Sequence, residues 1–392
     1  MSSNRSSRIA IFNRVFAPNE QATSVLLTGL TKSLIRSFEI KLYCNTDSDG
    51  VEESVAGDLK DRLKIVSMPL PRLLSKSKWA SLIDLGWSHF RLAIAALMQP
   101  KDSLCLVWTD PPFIETLLGI IFALKRTRFV IVLQDWYPEN LIGLGYIKSE
   151  AVSCSIRKLQ MWVFARAQKI VCICEDTRTI LRDRGLNNTV VIENWATTAN
   201  IKPMSTVRRE RWGDTPFGSR LIVKFAGNFG VGLDFPLIKE TLVKLENPER
   251  FLFVFQGSGR WHKEILELTK RHGFVVIEPY VSREQACVAM GECDIHLITL
   301  PEGLYGAAFP SKFYAILACG KPMIATLPSK SSMIEYINQI GCGIAVPATV
   351  ETFINGLNQM EEMFRYSPER LDGMGMKSIS ASLGFQSSSP IE

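Results

Sequence analysis

Apolar residues along this chain gather in short unbroken runs, separated by segments where they return every three or four positions. Runs at Arg8–Asn13, Phe38–Cys44, Leu63–Met68, Ser103–Trp108, Arg128–Gln134, Lys169–Cys174 and Thr189–Glu193 predict strands in the first half. Helical spacing lies between most of them. Glu20–Arg36 carries it in Val25, Leu26, Leu30, Leu34 and Ile35, and Ser155–Ala167 is the clearest case. Between Asn194 and Arg220 the pattern lapses into polar and basic residues with Pro203, Gly213, Pro216 and Gly218, as a linker does. A second series follows, with strands expected at Leu221–Gly227, Phe251–Gln256, Phe274–Glu278, Asp294–Leu300, Pro322–Thr326 and Gly343–Val346. Helices are expected between them at Asp234–Glu246, Arg260–Arg271, Arg283–Gly291, Ser311–Ala318 and Ser331–Gln339. From about Gly373 the residues are small and polar, without strong periodicity.

Strand and helix in alternation mean an α/β layer fold with a mainly parallel sheet. At 392 residues the chain is too long for one core. Two doubly wound domains are expected, at residues 1–197 and 220–372, joined by a linker at 198–219. Residues 373–392 form a tail that could return to the first domain. Such domains hold ligands at the carboxyl ends of their strands, facing each other across a cleft. The loops after strands are therefore where chemistry belongs.

Composition narrows the class. Apolar residues make up 46% and charged residues 21%, as in a globular protein with ample core. No run approaches the roughly 20 apolar residues of a membrane span, and no secretory leader opens the chain, so a cytoplasmic protein is expected. Six of the nine cysteines, Cys44, Cys105, Cys172, Cys174, Cys293 and Cys342, fall in or beside apolar runs. The four histidines are scattered and no C-x-x-C pair exists, so reduced, buried thiols are expected and no metal site. The formal charge of +6 is uneven: residues 1–200 carry 25 basic against 19 acidic side chains, the rest 20 against 20. The excess in the first half suits a membrane surface or a phosphorylated substrate, and is too modest for nucleic acid. Residues 72–98 interleave Arg72, Lys76, Lys78 and Arg91 with Leu73, Leu74, Trp79, Leu82, Ile83, Trp87 and Phe90. That pattern fits an interfacial helix and equally a crossover helix packed on the sheet.

Several loops could carry chemistry. After the strand at Asp294–Leu300, Pro310-Ser311-Lys312 opens a helix that stops at Gly320. A cation in a first helical turn opposes the helix dipole unless an anion compensates, which points to a phosphate-bearing ligand. Gly227-Asn228-Phe229-Gly230-Val231-Gly232 and Gly257-Ser258-Gly259-Arg260, with Lys263 one turn on, let backbone approach a diphosphate closely. Each is also an ordinary turn. Gly257-x-Gly259 with Glu278 imitates a dinucleotide fingerprint, but His262 stands at the third glycine position. In the first half, Asp135 follows a strand beside Trp136, Tyr137 and Glu139, where a carboxylate could act as a base or accept from a sugar hydroxyl. Asp110-Pro111-Pro112, Asn13 and Phe16-Ala17-Pro18 belong to the same edge.

Taken in order, these motifs resemble bacterial family 4 glycosyltransferases of the GT-B fold, nearest the branch that moves amino- or deoxysugars in capsule and O-antigen assembly. The marks are Phe16-Ala17-Pro18, Asp110-Pro111-Pro112, Gln134-Asp135-Trp136-Tyr137-Pro138-Glu139, Asn194-Trp195, Gly227-Asn228-Phe229-Gly230, Gly257-Ser258-Gly259, and Pro310-Ser311-Lys312 leading to Gly320-Lys321-Pro322. The resemblance implies a UDP- or GDP-linked sugar donor held by the second domain, with no metal or other cofactor. Its nucleoside would lie near Gln256–Gly259 and Pro279-Tyr280-Val281. The diphosphate would face Gly227, Asn228, Phe229, Gly230, Arg260, Lys263, Pro310, Ser311 and Lys312. Asn13, Asp110, Trp136 and Glu139 would line the acceptor side, with Asp135 and Lys312 catalytic. The acceptor would be a saccharide, on a polyprenyl diphosphate at the inner membrane face, and transfer would retain configuration. The leaving phosphate itself would take the acceptor proton.

The chain departs from that pattern too. Many members carry two glutamates spaced E-x7-E, where Ala307 and Ala315 stand here; the second binds ribose. Gln134 replaces a frequent histidine, and Asn228 with the apolar stretch around Leu233 replaces an Arg and a Lys. Two other readings follow: a catalytically silent sugar-nucleotide binder or scaffold, and a GT-B epimerase, which wants more carboxylates and histidines than these.

Overall fold

The computed structural model describes residues 8–19, 21–46, 50–68, 80–194 and 211–387. Most of the expected linker, 195–210, lies outside them, as do Trp195, Arg72, Lys76, Lys78 and Trp79. The chain forms two compact units. One runs through Glu193 and includes Gly306–Phe309; the other runs from Asn194 to Tyr305 and resumes at Pro310.

In the first unit, β1 (Arg8–Phe12), β2 (Glu39–Cys44), β3 (Leu63–Ser67), β4 (Leu104–Trp108), β5 (Arg128–Leu133), β6 (Lys169–Cys172) and β7 (Thr189–Val191) form one sheet. Their order is β3-β2-β1-β4-β5-β6-β7, and every pairing is parallel. The second unit orders β8 (Leu221–Asn228), β9 (Phe251–Ser258), β10 (Val275–Glu278), β11 (Ile295–Thr299), β12 (Met323–Leu327) and β13 (Gly343–Pro347) as β10-β9-β8-β11-β12-β13, again all parallel. Strand order reverses between β1 and β4 and between β8 and β11. Those are the points where the loops after strands diverge and leave room for a ligand.

Sheets covered by helices on both faces need strands that are apolar throughout, and β11 and β12 are buried at every residue. Buried Cys105, Cys172, Cys293 and Cys342 fill core space as expected of small hydrophobes. Among the described residues two buried strand positions are charged, Lys224 on β8 and Glu278 at the end of β10. Lys224 on β8 is 1% exposed and saturated by Glu292 at 3.1 Å, Glu278 at 3.4 Å and the Ala289 carbonyl at 2.7 Å. A buried cation tolerates its site only when paired and hydrogen-bonded, so Glu278 is structural here and binds no dinucleotide ribose.

The main departure from expectation lies at the end of the chain. Residues 373–387 continue a helix, Pro368–Ser387, that packs on the helix Phe313–Cys319 within the second unit. Its contact stripe is Leu371, Gly375 and Ser378, spaced as one helix face. A methyl group on Gly375 would lie 2.4 Å from the Gly320 carbonyl oxygen, so the backbones touch. Ser378 Oγ donates toward the Lys321 and Cys342 carbonyls at 3.1 and 3.4 Å. Small residues are the packing surface, which a search for large apolar residues passes over.

Candidate functional site

In the second unit the two glycine loops meet. Strand β8 runs one residue and β9 two residues further than expected, so Gly227 pairs with Gly257 and Asn228 with Ser258. Both glycines have positive φ, 144° and 142°. A Cβ on Gly257 would lie 1.9 Å from the Gly227 carbonyl oxygen, so no other residue fits without displacing the ladder. The Phe229 amide then donates to the Ser258 carbonyl at 2.8 Å, and Trp261 donates back to Phe229 at 3.3 Å. Phe229 is fully buried and stacks on His262, so it anchors the two loops from below and offers no face to a ligand. Thr299, at the end of β11, ties in the rest of the first loop: it donates to the Gly232 carbonyl at 3.1 Å and accepts from Asp234 at 3.0 Å. Its only mark in the sequence is a hydroxyl closing an apolar strand, which by itself does not point to the loop after β8.

Lys312 lies beside this pair, its Cε 3.2 Å from where a Gly227 Cβ would be. The helix after it begins at Phe313, so Pro310-Ser311-Lys312 is a turn leading into the helix and Lys312 its cap, two residues later than expected. No carboxylate among the described residues pairs with its ammonium. Desolvation holds its pKa below the ordinary lysine value. The residue still has exposed surface; contact with water and poor hydration coexist for a long side chain laid against protein. An unpaired, underhydrated cation is a place where an anion gains more than it would in water. Ser311, Asn228, Ser258, Gly259 and Lys263 are exposed around it or along the same loops. Arg260, also exposed, lies over the Trp261 ring at 4.6 Å. Tyr280 and Val281 follow β10, with Tyr280 68% exposed. Gln256 is committed elsewhere, donating to Glu278 at 3.1 Å.

The first unit gathers a different chemistry at the ends of its strands. Arg14, just past β1, binds Asp110 at 3.0 Å and Asp84 at 3.2 Å. Two buried acceptors here, Asn13 Oδ1 and Asp110 Oδ2, have no hydrogen-bond donor among the described residues. Buried acceptors of this kind call for a donor from water or a hydroxyl-rich ligand. Thr109 Oγ accepts from the amides of Gln134 and Asp135 at 3.2 and 3.1 Å, fixing the turn after β5 against the end of β4. Asp135 is exposed at the surface, yet desolvation by the protein around it and then the nearby Asp110 charge push its carboxyl above the usual range.

Trp136 and Glu139 are committed to the fold. Trp136 is 1% exposed, and its indole donates to Gln160 Oε1 at 2.7 Å. Glu139 is gripped by Arg157 and Arg184, which override its burial and hold its pKa below the ordinary value. Ala307 contributes only its backbone, accepting from the Trp136 amide at 3.0 Å. Gln160 also donates to Glu115 at 3.0 Å and to the Tyr137 carbonyl at 2.5 Å, so one amide side chain holds the turn after Asp135.

Glu115 is itself fully buried, and burial pushes its pKa from 4.5 to about 7. A buried acid with a raised pKa binds more protons folded than unfolded. Stability should therefore fall as pH rises from the unfolded to the folded value, by up to about 3 kcal/mol. Glu115→Gln, an isostere of the neutral acid, is expected to flatten that fall; denaturant midpoints for both proteins between pH 5 and 8 measure it.

No family model matches the chain. Over 268 residues it is 27% identical to a Pseudomonas aeruginosa protein described as "Probable glycosyltransferase WbjE". That alignment covers 63% of this chain and 63% of the relative, so less than two thirds of the relative's length is spanned. Among solved structures, HepE of Anabaena in complex with UDP and glucose is similar at a TM-score of 0.67 and 13% identity, over 96% of this chain and 94% of that one. Sucrose-phosphate synthase from Thermosynechococcus elongatus reaches 0.68 at 13% identity, over 97% and 94%. The fold is GT-B. Within the GT-B frame the paired glycines and Lys312 belong to the second Rossmann-like unit, and Asn13, Asp110 and Asp135 to the first.

Proposed function

We propose that this chain is a retaining glycosyltransferase that moves a sugar from a nucleotide diphosphate to a saccharide acceptor. The observation that carries the reading is Lys312, without a carboxylate partner among the described residues and laid against Gly227, which pairs with Gly257. Glycines there leave backbone open to a diphosphate, and a fixed cation stabilises the charge that develops on it as the bond to the sugar breaks. The relative's description as a glycosyltransferase and the UDP in HepE support the same donor class, UDP- or GDP-linked. In the proposed step the bond from the anomeric carbon to the donor phosphate breaks, and the acceptor oxygen bonds that carbon on the same face. The acceptor proton passes to the leaving diphosphate. Cations and amides do the electrostatic work, with no metal in the scheme.

Asp135 receives a hydroxyl in this reading, and Asn13 and Asp110 supply acceptor atoms nearby. Because Asp135 works ionised and its pKa is raised, activity should climb with pH through a limb above the ordinary carboxylate range. Asp135→Asn is expected to lower transfer by ~10- to 100-fold and abolish that limb. A variant with an unchanged profile would remove Asp135 from the site.

The acceptor we propose is lipid-linked, in surface polysaccharide assembly, with the protein on the cytoplasmic side. No helix among the described residues is long and apolar enough to cross a membrane, so contact with lipid would be peripheral. Screening purified protein against sugar nucleotides by mass spectrometry tests the donor. Ala307 and Ala315 favour a second reading, a silent binder: UDP bound in titration, with no turnover on any donor and acceptor, would select it.

A further inference from the structure

The crossovers β3 to β4, β4 to β5 and β5 to β6 all step the same way across the first sheet. Right-handed crossovers therefore lay their helices on one face, and Ile114–Lys125 packs against both Ala80–Leu97 and Glu150–Phe164. The inward sides are ordinary: Ser88, Leu92 and Ala96 are fully buried. The outward sides are not. Leu82, Phe90 and Leu97, within an arc of about 80° on the first helix, are 62%, 58% and 58% exposed. Leu124 on the middle helix is 73% exposed, and Leu159 and Trp162 on the third are exposed as well. Large apolar side chains exposed on each of three packed helices are the kind of surface that marks an interaction site.

Charge selects the partner. Arg126, Lys158 and Arg166 are exposed on this face, and Arg166 lies 4.0 Å over the Trp162 ring. Within 82–98, 114–126 and 150–166, the acidic residues are Asp84, paired with Arg14, buried Glu115, and Glu150, exposed in the first turn of the third helix. A second copy would set these cations against their equals. Apolar tips among cations, with a Trp–Arg pair, match an anionic bilayer, where the tips enter the acyl boundary and the cations meet headgroups.

We infer that the outer face of these three helices docks on an anionic lipid surface. This deepens the reading of a lipid-linked acceptor and rests on it for its purpose. In this docking the apolar residues supply the insertion, and Arg126, Lys158 and Arg166 choose the lipid.

Flotation of the full chain with vesicles of phosphatidylcholine containing about one third phosphatidylglycerol tests it, against phosphatidylcholine alone. Binding is expected to the anionic vesicles, weakening with salt. Phe90→Ser with Leu97→Ser and Leu124→Ser should reduce it by ~10-fold or more. Arg126→Glu with Arg166→Glu should do the same, while both variants keep the wild-type melting temperature and UDP titration. No binding by wild type, or undiminished binding by the serine variant, overturns the inference. So does a dimer that the serine variant dissociates without any vesicle binding. Vesicle binding without sugar transfer keeps the surface and discards the acceptor reading.

Discussion

Lys312→Met should cut sugar transfer by ~100- to 1,000-fold, a loss of about 3–4 kcal/mol in transition-state stabilisation. The lysine has no carboxylate partner among the described residues, so its removal breaks no ion pair. It lies against Gly227, where a diphosphate would meet it, and desolvation lowers its pKa although the side chain keeps exposed surface. The developing negative charge on the leaving group is what it would meet, and the effect should fall on kcat more than on KM. Melting temperature should hold or rise, because a partly desolvated cation is removed. Lys312→Arg should recover only part of the rate, since a planar fork does not replace a point charge on a thin stem. Full activity in a folded Lys312→Met protein would falsify the assignment.

Gly257→Ala should be the most damaging single methyl group in the second unit. The new Cβ would sit 1.9 Å from the Gly227 oxygen and 2.9 Å from its carbon, both backbone atoms, at a φ of 142°. Neither strand can yield, because β8 and β9 are paired along their whole length between β10 and β11. Steric overlap and backbone strain together should cost more than ~3 kcal/mol, enough to abolish cooperative folding of that unit or tear the loops apart. Gly232→Ala is the control: nothing lies within 4 Å of its Cβ, and its φ is not positive. It should change stability by no more than about 0.5 kcal/mol. Urea denaturation of the full-length proteins measures both. Equal midpoints would mean the loops are not locked in register.

The sheets were legible because parallel strands buried on both faces must be apolar runs, and both series of runs became strands. Each glycine loop was legible by itself, as a close approach to a diphosphate or as an ordinary turn. Their meaning is the register that sets Gly227 opposite Gly257, and a linear chain carries no mark of that pairing. Trp136 and Glu139 read as ligand-facing because they follow a strand; Gln160, Arg157 and Arg184, which claim them, come from distant helices. Glu115 drew no notice for the same reason, its titration being set by burial that the sequence does not print. Lys312 was found early, since a cation opening a helix is locally unfavourable and so visible without tertiary knowledge.

The last helix bears on how this protein can be handled. Gly373 and its neighbours look like residues an experimenter would trim. Yet Gly375 touches the backbone of Gly320, which ends the helix that Lys312 begins, and Ser378 bonds the strand starts at Lys321 and Cys342. A fragment stopped at 372 would lose the packing behind the helix that Lys312 caps. Activity lost on such trimming would report a missing floor, not a missing catalytic group.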